Sequence, residues 1–225
     1  MTTRRRSLAK FFRLAAAAAA LIAVSAPLGP APWAHADGCP DVELVFARGT
    51  GEPPGPGRVG QALADTLAPM LGGRSLAVYG VNYPASINFL TTSAGAVDTE
   101  NHLAAVATAC PATRFILGGF SQGAAVMSML AGVAPLGTLV GNLGSAPPMP
   151  PEAADQISAV AVFGNPAARF GTPLSSTGLF AAQAIDLCSE GDPICTPGGR
   201  NRGAHNGYEF PPYVTDAAAF VAPRV

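Results

Sequence analysis

Gly119-Phe120-Ser121-Gln122-Gly123 sets a serine between two glycines in the spacing G-x-S-x-G. Alone the pattern is weak, because a chain with 26 glycines can meet it by chance. A serine hydroxyl is also a poor nucleophile until a base takes its proton. Of the three histidines, His35 falls in an N-terminal stretch set aside below. His102 precedes the serine in a predicted helix beside Glu100 and Asn101, where a solvent-facing position is expected. His205 lies in Arg202-Gly203-Ala204-His205-Asn206-Gly207, a loop after the last predicted strand. Strand-end loops are where sheets flanked by helices place their chemistry. A third group should orient the imidazole and stabilise its cation. The acids after the serine are Glu152, Asp155, Asp186, Glu190, Asp192, Glu209 and Asp216. Asp192 stands out: it sits between Cys188 and Cys195, with Pro193 stiffening the loop. Ser121, His205 and Asp192 are thus candidates for a nucleophile, its base and the base's orienter.

Such groups need a frame. Short β-rich apolar runs at 42–47, 75–81, 114–117, 157–163 and 182–187 read as five strands. Helical spacing marks 59–71, 94–109, 122–131 and 214–221. Strands alternating with helices predict an α/β fold, a five-stranded, mostly parallel sheet with helices on both faces. Ser121 then falls on a sharp strand-to-helix turn, where small flanking glycines permit close packing around a strained backbone. No linker or internal repeat suggests a second domain.

The chain has 225 residues, 49% of them hydrophobic and 12% charged, which excludes intrinsic disorder. Its 26 glycines and 22 prolines have no period, which excludes collagen. Arg4, Arg5, Arg6, Lys10 and Arg13 precede an apolar run, Leu14 to Val24, and then Ala34-His35-Ala36. This is the order of a secretory leader, expected to span 1–36 and to leave a domain of 37–225. The apolar run is too short to cross a bilayer, which takes about 20 residues. The leader holds five of the 13 basic residues and none of the 14 acids, so the remainder carries a net charge of −6. With no basic block, no nucleic-acid partner is expected. Cys39, Cys110, Cys188 and Cys195 remain, an even number that reads as two disulfides in an exported chain. Three pairings are open; the nearness of Cys188 to Cys195 invites a local bridge, which would leave Cys39 with Cys110. A zinc site would want CxxC-type spacing, which is missing.

With these parts placed, the chain resembles the cutinase family of serine esterases. The likeness rests on Phe46-Ala47-Arg48-Gly49-Thr50, on Gly118-Gly119-Phe120-Ser121-Gln122-Gly123, on an Asp-Pro enclosed by Cys188 and Cys195, and on His205 following Asp192. The order Ser, Asp, His is that of α/β-hydrolases. The resemblance covers nearly all of 37–225 and implies a lidless, single-domain α/β-hydrolase that is monomeric and secreted, with cell-wall association open. It implies disulfides Cys39–Cys110 and Cys188–Cys195, with Ser121 as nucleophile, His205 as base and Asp192 as orienter. The oxyanion hole would be the backbone N–H groups of Thr50 and Gln122, with the Thr50 hydroxyl helping. No metal or organic cofactor is implied, and the partner is an ester or lipid substrate. Where fungal members carry aliphatic residues before the histidine, this chain has the polar, glycine-rich stretch 198–204. That argues for short to medium acyl chains. Ile87, Phe89 and Leu90 could form an opposite apolar wall or simply pack inside. The alternatives are a phospholipase or thioesterase acting on lipids, and a catalytically silent binding protein on the same fold.

Overall fold

The computed structural model describes residues 38–225 apart from 142, 143 and 145; the expected leader, with Trp33, lies outside them. Five strands, β1 (Val42–Ala47), β2 (Leu76–Gly80), β3 (Arg114–Phe120), β4 (Ile157–Phe163) and β5 (Ala184–Leu187), form one sheet in the order β2-β1-β3-β4-β5. All four pairings are parallel. Every residue of β1 and β4 is buried, as expected of strands covered on both faces.

Among the described residues five helices provide that cover: α1 (Gly57–Leu67), α2 (Ser93–Ala109), α3 (Gln122–Leu130), α4 (Pro166–Arg169) and α5 (Tyr213–Val221). Side chains alternate along β1. Val42, Leu44 and Phe46 join Val59 and Leu63 of α1 and Val214 and Val221 of α5 in one core. Val45 and Ala47 join Ala96 and Leu103 of α2 and Val126 and Leu130 of α3 in the other.

Several boundaries differ from expectation. β3 runs on to Phe120 through Gly118 and Gly119, residues with low strand preference. A Cβ on Gly118 would meet Phe46 Cδ2 at 2.5 Å, so close packing calls for glycine there. β5 begins at Ala184 rather than 182. α1 stops at Leu67 and tightens into a 3-10 turn, Ala68–Met70, before Gly72 and Gly73 adopt positive φ. The four-residue α4 was not expected; it starts where the Asn165 side chain accepts the Ala167 N–H at 3.1 Å.

The strand order reverses between β1 and β3. In parallel sheets the crevice beyond the carboxyl ends of such strands is where ligands bind. Thr50 follows β1 and Ser121 follows β3, so both stand there. No helix among the described residues is long and apolar enough to cross a membrane.

The structure contains the disulfides Cys39–Cys110 and Cys188–Cys195, with sequence separations of 71 and 7. Loop-closure entropy assigns the first roughly 4.4 kcal/mol and the second roughly 2.5 kcal/mol. In thermal melts followed by circular dichroism, Cys39→Ala/Cys110→Ala should therefore melt below Cys188→Ala/Cys195→Ala. The opposite order would show that loop length does not govern their contributions.

Candidate active site

Ser121 has φ 55° and ψ −112°, a conformation an L-residue rarely adopts. Its surroundings enforce it. A Cβ on Gly123 would lie 1.8 Å from the Ala47 carbonyl oxygen, and one on Gly119 would lie 2.3 Å from that of Gly123. The Ser121 N–H donates to the Phe163 carbonyl at 2.9 Å, tying the turn to β4. α3 starts at the next residue, so its positive end faces the serine.

His205 lies in a 3-10 turn, Arg202–Asn206, that the Asn201 side chain caps by accepting from Gly203 and Ala204. Its Nε2 is 2.8 Å from Ser121 Oγ, and its Nδ1 is 2.7 Å from Asp192 Oδ2. The Phe120 ring stacks on the imidazole with centroids 4.9 Å apart. A Cβ at Gly164 would meet His205 Cε1 at 2.8 Å, so that neighbour must also stay small. On Phe120 rests the Arg58 guanidinium, 4.7 Å from the ring centroid. Glu52 and Glu209 each hold that guanidinium at 3.1 Å.

Asp192 is fully buried. Besides His205, it accepts the Tyr208 hydroxyl on Oδ2 at 2.6 Å and the Ile194 N–H on Oδ1 at 2.7 Å. Burial alone would raise its pKa. The bonds from His205, Tyr208 and Ile194 outweigh that and hold it below the ordinary 3.8. Asp192 is therefore a carboxylate at neutral pH.

Opposite the histidine, the Thr50 hydroxyl donates to Gln122 Oε1 at 2.9 Å. Gln122 Nε2 donates to the buried Thr92 Oγ1 at 2.9 Å. The Thr50 hydroxyl thus ties the loop after β1 to the start of α3. As the first residue of α3, Gln122 has an N–H that the helix leaves without an internal acceptor. The loop carrying Thr50 hangs on Arg48, which is buried. Its guanidinium donates to the carbonyls of Glu52 at 2.9 Å, Val81 at 3.1 Å and Tyr83 at 2.6 Å.

The structure thus brings Ser121, His205, Asp192, Thr50 and Gln122 to the carboxyl end of the sheet. It does not leave His102 facing solvent. His102 Nε2 is 2.8 Å from Glu43 Oε1, its ring stacks on Tyr79 at 3.5 Å, and its side chain is 18% exposed. Glu43 is on a strand, so helix periodicity could not reveal the pairing. Since Glu43 is the second residue of β1 and Thr50 follows that strand's end, His102 belongs to the opposite end of the sheet. Sequence reasoning missed Tyr208, Thr92 and the clamp made by Arg48. Tyr208 follows His205 by three residues, a spacing that could have drawn notice, whereas nothing in the sequence marks Thr92.

A lone parallel sheet with a strained serine turn, a histidine on a later loop and a carboxylate between them is the α/β-hydrolase arrangement. The family described as Cutinase matches residues 38–225, and the chain belongs to that family. It is 49% identical over 212 residues to "Phospholipase Culp4" of Mycobacterium tuberculosis, covering 94% of this chain and 89% of that protein. It is 51% identical over 197 residues to "Probable carboxylesterase Culp3" of the same organism, covering 86% of this chain and 72% of the relative. Among solved structures, a Trichoderma reesei cutinase in complex with a phosphonate inhibitor matches with TM-score 0.63 and 33% identity, over 82% of this chain and 76% of that one. The chain is a carboxylic ester hydrolase.

The contact between Gly123 and Ala47 is backbone against backbone, so no side chain can yield to a larger residue. Gly123→Ala should give little soluble folded protein. Gly207→Ala, at a glycine with nothing within 4 Å of the added Cβ, should express and fold normally. Soluble yield and far-UV circular dichroism decide this, and a well-folded Gly123→Ala would show that the turn relaxes more cheaply than its contacts imply.

Proposed function

We propose that Ser121, His205 and Asp192 are a catalytic triad that cleaves esters through an acyl-enzyme. The observation that carries this reading is the pair of short contacts on His205, 2.8 Å to Ser121 Oγ and 2.7 Å to Asp192 Oδ2. His205 Nε2 takes the hydroxyl proton as Ser121 Oγ attacks the ester carbonyl carbon. The new imidazolium faces the Asp192 carboxylate. The carbonyl oxygen becomes an oxyanion, held by the backbone N–H groups of Thr50 and Gln122. The Thr50 hydroxyl serves here mainly as a tie to Gln122 Oε1 that fixes the loop. The tetrahedral species collapses, His205 returns the proton to the leaving alcohol, and the acyl group stays on Ser121. Water, deprotonated by His205, then releases the acid and restores the serine. An arrangement this complete argues against the silent binding protein, since binding alone needs no such alignment.

Short to medium acyl chains fit the polar stretch 198–204 beside His205. Each buried CH₂ contributes about 0.8 kcal/mol only where a wall exists to bury it against. A second reading, that the esters are those of lipids, is favoured by Ile87 and Leu90, which are 96% and 56% exposed on the loop ahead of Thr92. The name of the Culp4 relative agrees with it. We further propose that the protein acts outside the cell as a monomer, without a nucleic-acid partner, and that 1–36 is a leader removed to leave a domain of 37–225.

Kinetics on p-nitrophenyl esters from acetate to palmitate, with a phospholipid alongside, test the catalytic reading. Ser121→Ala and His205→Ala should each lose about 10⁴-fold in kcat, because the members act as a unit. His102→Ala should stay near wild type, and kcat/KM should peak at short or medium chains. Equal losses at His102 and His205, or a steady rise to palmitate below its aggregation limit, would reject the assignment or the chain-length preference respectively. Intact-mass measurement of exported protein should place its first residue at or near Asp37, and a retained leader would refute processing.

A further inference from the structure

Tyr208 is the largest fully buried side chain described, and its hydroxyl reaches the proposed triad from behind. The hydroxyl accepts the Ser189 N–H at 2.9 Å and donates to Asp192 Oδ2 at 2.6 Å. Cys195 Sγ lies 3.4 Å from it, but a carboxylate is the stronger acceptor, so the phenolic hydrogen belongs to Asp192. The ring is fixed among aromatic neighbours: Tyr213 at 4.9 Å, Phe120 at 5.7 Å, His205 at 6.0 Å and Phe163 at 6.2 Å. Asp192 Oδ2 thus takes two donors, His205 Nδ1 and Tyr208 Oη, while Oδ1 takes the Ile194 N–H.

We infer that Tyr208 is a positioning residue for ester hydrolysis, whose hydroxyl fixes the Asp192 oxygen used by His205 and limits how tightly that pair holds a proton. The inference rests on the triad proposed above. A core tyrosine needs only some partner for its hydroxyl. This one shares an acceptor atom with the base, and a hydrogen bond to a carboxylate withdraws charge from it. Without Tyr208, Oδ2 would pull harder on the imidazole proton and be freer to rotate away. Burial, then the bond to Asp192, push the phenol well above its ordinary 10.0, so it stays a donor throughout the working range. Among the described residues, charged groups near the pair include Arg58, between Glu52 and Glu209 behind Phe120, and Arg169 on the Pro193 carbonyl; Glu190 in the disulfide loop and Arg202 in the His205 turn are exposed. None of them is altered by a change at Tyr208.

Tyr208→Phe keeps the ring and removes the donor. The test is the pH profile of kcat/KM on a soluble p-nitrophenyl ester, with active sites counted by a serine-directed phosphonate. The acid limb, which reports the Asp192–His205 pair, should move to higher pH by about half a unit. At the plateau kcat per titrated site should fall about tenfold, with KM within about twofold. An unmoved acid limb and a full kcat per site, even with a lowered melting temperature, would overturn the inference. If Tyr208→Phe does not fold, 3-fluorotyrosine placed at 208 makes a stronger donor of the same shape. Its acid limb should move to lower pH, and no movement would equally overturn the inference. Ser121→Ala separates the two levels: turnover surviving in that variant refutes the triad, and this inference with it, before Tyr208 is considered.

Discussion

The site depends on one close approach, where the backbone of Gly123 rides against the carbonyl of Ala47. That contact lets α3 begin directly beyond β3 while crossing the end of β1. It forces Ser121 into positive φ and lifts its hydroxyl clear of the helix. It also sets Gln122 beside the loop that leaves β1, so Thr50 and Gln122 can share a hydrogen bond although 72 residues apart. A strained residue persists only where its surroundings over-determine it. Here β1, β3, β4 and α3 all do so.

A second constraint is electrostatic. A buried carboxylate is tolerable when hydrogen bonds replace its water. Asp192 meets that need with a backbone amide, a phenol and the imidazole. The Thr50 loop meets it differently, with a buried guanidinium shared among three carbonyls. Both devices draw on backbone groups, which are fixed by the fold and lose little freedom when they bind.

The sequence made visible what is local. β1 and β4 read clearly because both faces are covered and their residues are apolar apart from Glu43 and Ser158. The serine turn was legible from glycine spacing and the flanking elements. The end of β3 was not, because Gly118 and Gly119 are there for the closeness of Phe46 and Gly123 rather than for strand preference. α4 is too short to carry a period. Relations between distant segments stayed hidden: Glu43 with His102, Thr92 with Gln122, and Arg48 with the carbonyls of Val81 and Tyr83. The cysteine count alone left three pairings open, and the nearness of Cys188 to Cys195 pointed to the one the structure contains.

The shortest strand, β5, forms one edge of the sheet and pairs only with β4, through four residues. Asp192 hangs from it by a short stretch that begins at Cys188. Edge segments with few ladder bonds open locally at a lower free energy than the centre of a sheet. Beyond β5, however, the chain is gathered into a single piece. Cys195 is bonded to Cys188, the Asn201 N–H donates to the Gly191 carbonyl, and the Tyr208 hydroxyl takes the Ser189 N–H. Amide exchange should accordingly treat 184–208 as one cooperative unit, less protected than β1, β3 and β4. Excursions of that unit would carry Asp192 and His205 away from Ser121 together, with the hydrogen bond between them kept and the serine left in place on its own turn.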